Sequence, residues 1–120
     1  ALSDHELEAI LSGARDAGAV AASWIMLRLP AEVSPLFREW LAQHYPDRAS
    51  RIMARVREMH GGKDYDAEWG KRMRGQGHYA QIISKRFEIA RKRLGYPDTL
   101  PSLRTDLFCV PGAGRQLSLF

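Results

Sequence analysis

The run Trp24-Ile-Met-Leu-Arg-Leu29, stopped at once by Pro30, constrains this chain more than any other stretch. An apolar run this short, ended by proline, predicts a buried strand rather than a helix. The residues that follow change period. Val33, Leu36, Phe37, Trp40 and Leu41 fall on one helical face, and Ser34 as N-cap with Pro35 at the first helical position predicts where that helix starts. Nothing else in the sequence reads as a strand. A single strand can neither satisfy its ladder hydrogen bonds nor cover both of its faces. The expectation is a piece of something larger, whose other strands lie outside these residues.

The segment before the run strengthens that expectation. Ser3-Asp-His-Glu6 has the form of a capping box, and Leu7, Ile10, Leu11 and Ala14 share a helix face that Gly18 should end. Helix, strand at about Val20 or Ala21, and helix make one αβα unit, the rhythm of a parallel α/β protein. The fold expected is mainly α: residues 1–46 as the end of a partial β/α barrel, 47–110 as a basic helical extension, and 111–120 as a flexible tail. In the extension, Asp47 should cap a helix carrying Ala49, Ile52, Met53, Val56 and Met59 on one face, ended by Gly61 and Gly62. A second helix should run from His78 or Tyr79 to Leu94 on the stripe Tyr79, Ile82, Ile83, Phe87, Ala90 and Leu94, closed by Gly95. The patch Leu107-Phe-Cys-Val110 should lie across the helices, with Cys109 as a partly buried thiol.

Charge separates the chain into blocks. Residues 1–47 carry three Arg against seven acids, whereas residues 48–95 carry thirteen Lys or Arg against five acids. The basic block suits phosphates or an acidic partner surface, or it is simply two solvated helices with long cationic side chains. Residues 61–77 interleave Tyr65 and Trp69 with Lys71, Arg72 and Arg74, ahead of Tyr79. That pattern fits base stacking and phosphate contact, with Lys85 and Arg86 as further cations on the next helix. Equally, Tyr65 and Trp69 would pin a loop to the helices beside it. The stretch is no Walker loop, and its Gly75-x-Gly77 is too short for a dinucleotide fingerprint. The four histidines form no metal-ligand spacing, and one cysteine excludes a disulfide framework or a multi-cysteine metal site within these residues. No apolar run approaches membrane-spanning length, so a soluble cytoplasmic protein is expected. The chain begins Ala-Leu-Ser, which is the start expected of a processed product or a portion of a longer one.

Two resemblances add to this. The ending Gln116-Leu-Ser-Leu-Phe120, after the leash Pro111-Gly-Ala-Gly-Arg115, resembles the peptide by which bacterial polymerases and repair proteins dock on the sliding clamp. That implies a clamp-binding tail in which Gln116 hydrogen-bonds at a pocket rim while Leu119 and Phe120 fill the pocket, with Leu117 and Ser118 between them. The alternative function this supports is a small basic module that brings DNA or another partner to the clamp. Over most of the chain, Leu27-Arg-Leu-Pro-x-Glu-Val33, Leu36-Phe-x-x-Trp-Leu41, Tyr45-Pro-Asp-Arg48, Tyr65-Asp-x-x-Trp-Gly-x-Arg72 and Gly75-x-Gly-x-Tyr-Ala80 resemble the C-terminal portion of a bacterial radical S-adenosylmethionine protein family related to spore photoproduct lyase, a DNA repair enzyme. The resemblance implies a parent enzyme with a 4Fe–4S cluster and S-adenosylmethionine, both held by a Cys-x3-Cys-x2-Cys motif near the start of its barrel. These residues hold no such motif, so the cluster would sit on a missing N-terminal barrel segment. Nucleic acid is the substrate class implied. Arg28 and Glu32, just past the C-terminal end of the expected strand, are the side chains placed nearest the cofactor pocket; a salt bridge or a charge at a helix start accounts for them equally.

Overall fold

The computed structural model describes residues 2–100 and 102–109. The leash, the clamp-like tail and Val110 lie outside the described residues. A short 3-10 turn at Asp4–Glu6 leads into α1 (Leu7–Asp16), followed by α2 (Val33–His44), α3 (Pro46–Met59) and α4 (Gly77–Arg93). The protein is helical, as expected. Helix α2 packs on α3, and α4 packs on both α1 and α3.

The expected αβα unit is not formed. Among the described residues there is no strand, and 17–32 runs as an extended connection between α1 and α2. Among the described residues no second extended stretch pairs with it. Between Val20 and Leu29 one amide finds a backbone acceptor, Met26 N–H donating to Met73 O at 2.8 Å, and Met73 belongs to a turn rather than a strand. Side chains alternate as a strand's would from Ser23 to Arg28, and buried Leu29 beside half-buried Arg28 breaks the pattern. Met26 and Leu29 are buried and Trp24 half-buried, while Ile25 is 58% exposed and Leu27 43% exposed.

Three small apolar clusters hold the molecule together. Leu29 and Leu41 meet Ile52, Met53 and Val56. Leu11 meets Phe87, Ala90 and Tyr96, with Trp24 at its edge, where the Trp24 and Phe87 rings lie 6.2 Å apart. Met26 meets Met59, Ala80 and Ile83. Each cluster joins residues from both sides of position 46. The Tyr96 hydroxyl, deep in the second cluster, donates to the Leu11 carbonyl at 2.9 Å, closing the last turn of the chain against α1.

Several local expectations are corrected. Helix α2 begins one residue earlier than Ser34, with Glu32 in the capping position and no side-chain cap. Ser34 therefore lies inside the helix, and its hydroxyl donates to Asp64 Oδ2 at 2.7 Å. Asp47 caps nothing. Helix α3 starts at Pro46, whose missing N–H costs nothing at a first helical position. The Ser3–Glu6 box gives a 3-10 turn through Glu6 N–H to Ser3 O, without side-chain capping. On α2, Leu36 is 61% exposed and Val33 and Trp40 are also exposed, so Phe37 and Leu41 alone face the core. Leu107 and Phe108 are more than 70% exposed and Cys109 is exposed, so these three residues of the patch do not pack on the helices. The glycine stops hold. Gly18 at φ +95° and Gly95 at φ +70° take the left-handed conformation that ends α1 and α4.

Candidate nucleic-acid interface and open groove

The site is built around the extended segment and the turn that touches it. Helix α3 ends at His60, which is 1% exposed. Its Nε2 lies 2.9 Å from the Leu27 carbonyl. A carbonyl only accepts, so Nε2 carries the proton, and Nδ1 is left buried with no hydrogen-bond partner. This bond ties the extended segment to α3. Residues 68–75 then form consecutive turns, with Arg72 N–H donating to Glu68 O at 3.0 Å and Gly75 N–H to Lys71 O at 2.9 Å. Gln76 N–H donates to Met59 O at 2.9 Å. The turns are therefore anchored to α3 at one end and, through Met73, to the extended segment in the middle. At Gly75, φ is +69°, and an added Cβ would sit 3.3 Å from Met59 Cβ; glycine is needed there for both reasons.

Arg28 is half-buried. It has no carboxylate partner among the described residues: one terminal nitrogen donates to the Tyr65 hydroxyl at 3.4 Å, its guanidinium lies 5.9 Å from the Tyr65 ring centre, and its Nε is buried unbonded. Glu32 is exposed at the start of α2. Beside Tyr65, Asp64 accepts hydrogen bonds from Ser34, Arg38 and Arg57, and these donors hold its carboxyl well below the usual carboxylate range. Arg38 is bidentate, at 2.7 Å through both Nε to Oδ2 and a terminal nitrogen to Oδ1.

The five cations expected at a nucleic-acid surface divide. Lys71 pairs with Glu68 at 2.6 Å, and Arg86 forms a two-pronged pair with Glu8 at 2.8 and 2.6 Å, tying α4 to α1. Arg72 stacks on Trp69, its guanidinium carbon 4.3 Å from the ring centre. Arg74 and Lys85 are exposed, with no carboxylate partner among the described residues. Trp69 is 81% exposed, so it does not pin the loop to a helix; Tyr65, half-buried beside His60 and Arg28, does. Gln116 to Phe120 lie outside the described residues.

Two features carried no sequence signal. One is an apolar groove of about 400 Å³, lined by Leu2, Ile10, Trp24, Ile25, Leu27 and Phe37 among others, bordered by the extended segment and by side chains of α1, α3 and α4. The other is His60, a lone histidine in sequence that is the most buried polar residue described. Among the described residues no group of three His, Cys, Asp or Glu could hold a metal ion, and no helix is long and apolar enough to cross a membrane. Fold and site together define a small helical protein with an open apolar groove and a basic, aromatic-bearing turn. Comparison with family models, curated proteins and solved structures finds no match to this chain.

Proposed function

We propose that this chain is the C-terminal part of a radical S-adenosylmethionine iron–sulfur protein, completing a β/α barrel begun by a preceding segment and covering its end with a helical extension. The observation that carries the reading is the 20–29 segment. It alternates between inward and exposed side chains from Ser23 to Arg28, leaves all but one of its amides without a backbone acceptor among the described residues, and borders an open apolar groove. An adjoining strand and its helix would satisfy both deficits at once, because strand addition supplies ladder bonds and covers Ile25 and Leu27 together. The αβα unit then forms on assembly. The family assignment comes from the motif resemblance in 27–80 and at the C-terminus.

The cluster itself does not fit these residues. A 4Fe–4S centre of this kind takes three thiolates, and the chain has one cysteine, which is exposed. The ligands belong to the preceding segment, and no step of radical chemistry is assigned to side chains here. What the chain contributes is Arg28, held against Tyr65 at the C-terminal end of the extended run, where barrel enzymes build their sites.

The test is the polypeptide encoded upstream together with this chain. The expected result is a Cys-x3-Cys-x2-Cys motif, iron–sulfur absorption and electron paramagnetic resonance in the loaded protein, and amides 20–29 that exchange slowly with solvent. An upstream sequence without the motif, or amides that exchange as fast as in residues 1–120 alone, overturns the reading.

A second reading is favoured by the sequence of the tail. Gln116 to Phe120 would dock the protein on the bacterial sliding clamp. A peptide covering 111–120 should bind the clamp, and Leu119→Ala/Phe120→Ala should abolish that binding; no binding by the unaltered peptide removes this role.

A further inference from the structure

We propose that the turn at 68–75 is a docking platform for single-stranded nucleic acid, with Trp69 stacking on an unpaired base and the surrounding arginines meeting the backbone phosphates. This deepens the proposed function by naming a substrate class and rests on it only for the reaction; the contact can succeed or fail by itself.

Three observations converge on this turn. The first is Trp69. A tryptophan 81% exposed presents a large flat apolar surface to water, and nothing among the described residues covers it. Arg72 lies against its ring at 4.3 Å, leaving the rest of the indole open. An indole backed by a guanidinium is a good stacking surface for any nucleobase, since every base offers a π-face.

The second is charge. The loop and the side chains bonded to it hold seven cations (Arg28, Arg38, Arg57, Lys63, Lys71, Arg72 and Arg74) against three carboxylates (Asp64, Asp66 and Glu68). That surplus of four equals the formal net charge of the whole chain, +4. Two arginines share the single carboxylate of Asp64, and Arg28 and Arg74 have none. A polyanion would supply the missing counter-charge.

The third is rigidity. The turn is bonded to the end of α3 through Gln76, to the extended segment through Met73, and within itself through Glu68 and Lys71. A surface fixed before binding loses little freedom on binding, which is what a stacking platform requires. A protein partner would also cover Trp69, but the cation surplus of the loop that carries it favours a phosphate-bearing chain over an apolar peptide face.

The experiment is fluorescence anisotropy of labelled oligothymidine and oligouridine with the full chain, titrated across salt. Trp69→Ala should weaken binding roughly 5- to 150-fold, the effect of one lost base stack, while Trp69→Phe retains part of the affinity. Arg74→Gln should lower the slope of log affinity against log salt by about 0.7, one single-strand phosphate contact. The side chains of Trp69 and Arg74 lie outside the core, so both variants keep the fold, checked by an unchanged helical circular dichroism spectrum. Equal loss with both oligomers indicates base and phosphate recognition alone; a preference for one assigns DNA or RNA within the same proposal. No binding of either oligomer, binding unaffected by Trp69→Ala, or binding indifferent to salt overturns it. A cluster-loaded parent whose Trp69→Ala variant still binds oligomer normally would sink this inference while leaving the proposed function intact.

Discussion

Helix α3 and the extended segment 20–29 both bury apolar side chains against the same neighbours, yet they are in different physical states. Ile52, Met53, Val56 and Met59 of α3 are buried, and the helix satisfies its own backbone. Met26 and Leu29 are equally buried, but their segment reaches outside itself for hydrogen bonds and finds Met73 O and His60 Nε2. A helix closes its backbone accounts locally, at four-residue range; an extended chain needs a partner chain. Burial alone therefore does not make a strand.

The largest expected effect probes the α3 side of this comparison. Leu41 is fully buried among Leu29, Ile52, Met53 and Val56, and Leu41→Ala should lower unfolding stability by about 2–5 kcal/mol in urea denaturation. A change below about 1 kcal/mol would show that this core is loosely packed and that the contrast with segment 20–29 is overstated.

The Asp64 cluster comes next, since it joins α2 to α3 beside the extended run. Asp64→Ala strands Arg38, Arg57 and Ser34 without their shared acceptor and should cost about 1–3 kcal/mol. The pH dependence has a definite sign. The folded protein holds the Asp64 carboxyl below its usual value of 3.8, so its contribution is present above that value and is lost as pH falls below it. Asp64→Asn should flatten the acid side of the stability profile; a profile unchanged by the substitution would mean the cluster does not couple the two helices.

His60 tests the link between the regions directly. Replacing it with Leu removes the donor to Leu27 O but keeps apolar volume. Hydrogen exchange should then quicken at the Met26 amide more than in the centre of α3, and uniform quickening would show that the two regions open as one unit. The smallest effect belongs to the exposed face. Ile25→Ser and Leu27→Thr should change the stability of residues 1–120 by no more than about 0.5 kcal/mol, yet weaken association with the preceding segment that we propose. A large loss of stability from either would mean that this face is already covered.

Helices were legible because their signals are local. The stripe on α3, the α4 stripe apart from Ile82 (40% exposed), the stops at Gly18, Gly61 and Gly95, and proline near helix starts all reflect interactions within a few residues. Helix starts were read less well where a polar side chain had a distant partner, as with Ser34, which bonds Asp64 rather than its own helix. The candidate site was legible as a composition but not as a geometry. Lys71 and Arg86 looked like free cations in sequence, and each is paired with a carboxylate, Glu68 three residues back or Glu8 at the other end of the chain. Trp69 read equally as a base-stacking residue and as a pin; it is open to solvent, and Arg72 stacks on it.

The sequence by itself determined the helical segments, their turns and the concentration of positive charge after position 47, because periodicity, capping and composition act at short range. Tertiary structure alone decided that 20–29 is extended without a partner strand among the described residues, that His60 is buried against Leu27 O, and that Arg86 is taken up by Glu8. Those outcomes depend on which distant groups meet across the fold, and hydrogen-bond and ion-pair partners chosen over separations of more than thirty residues leave no periodic trace in the chain.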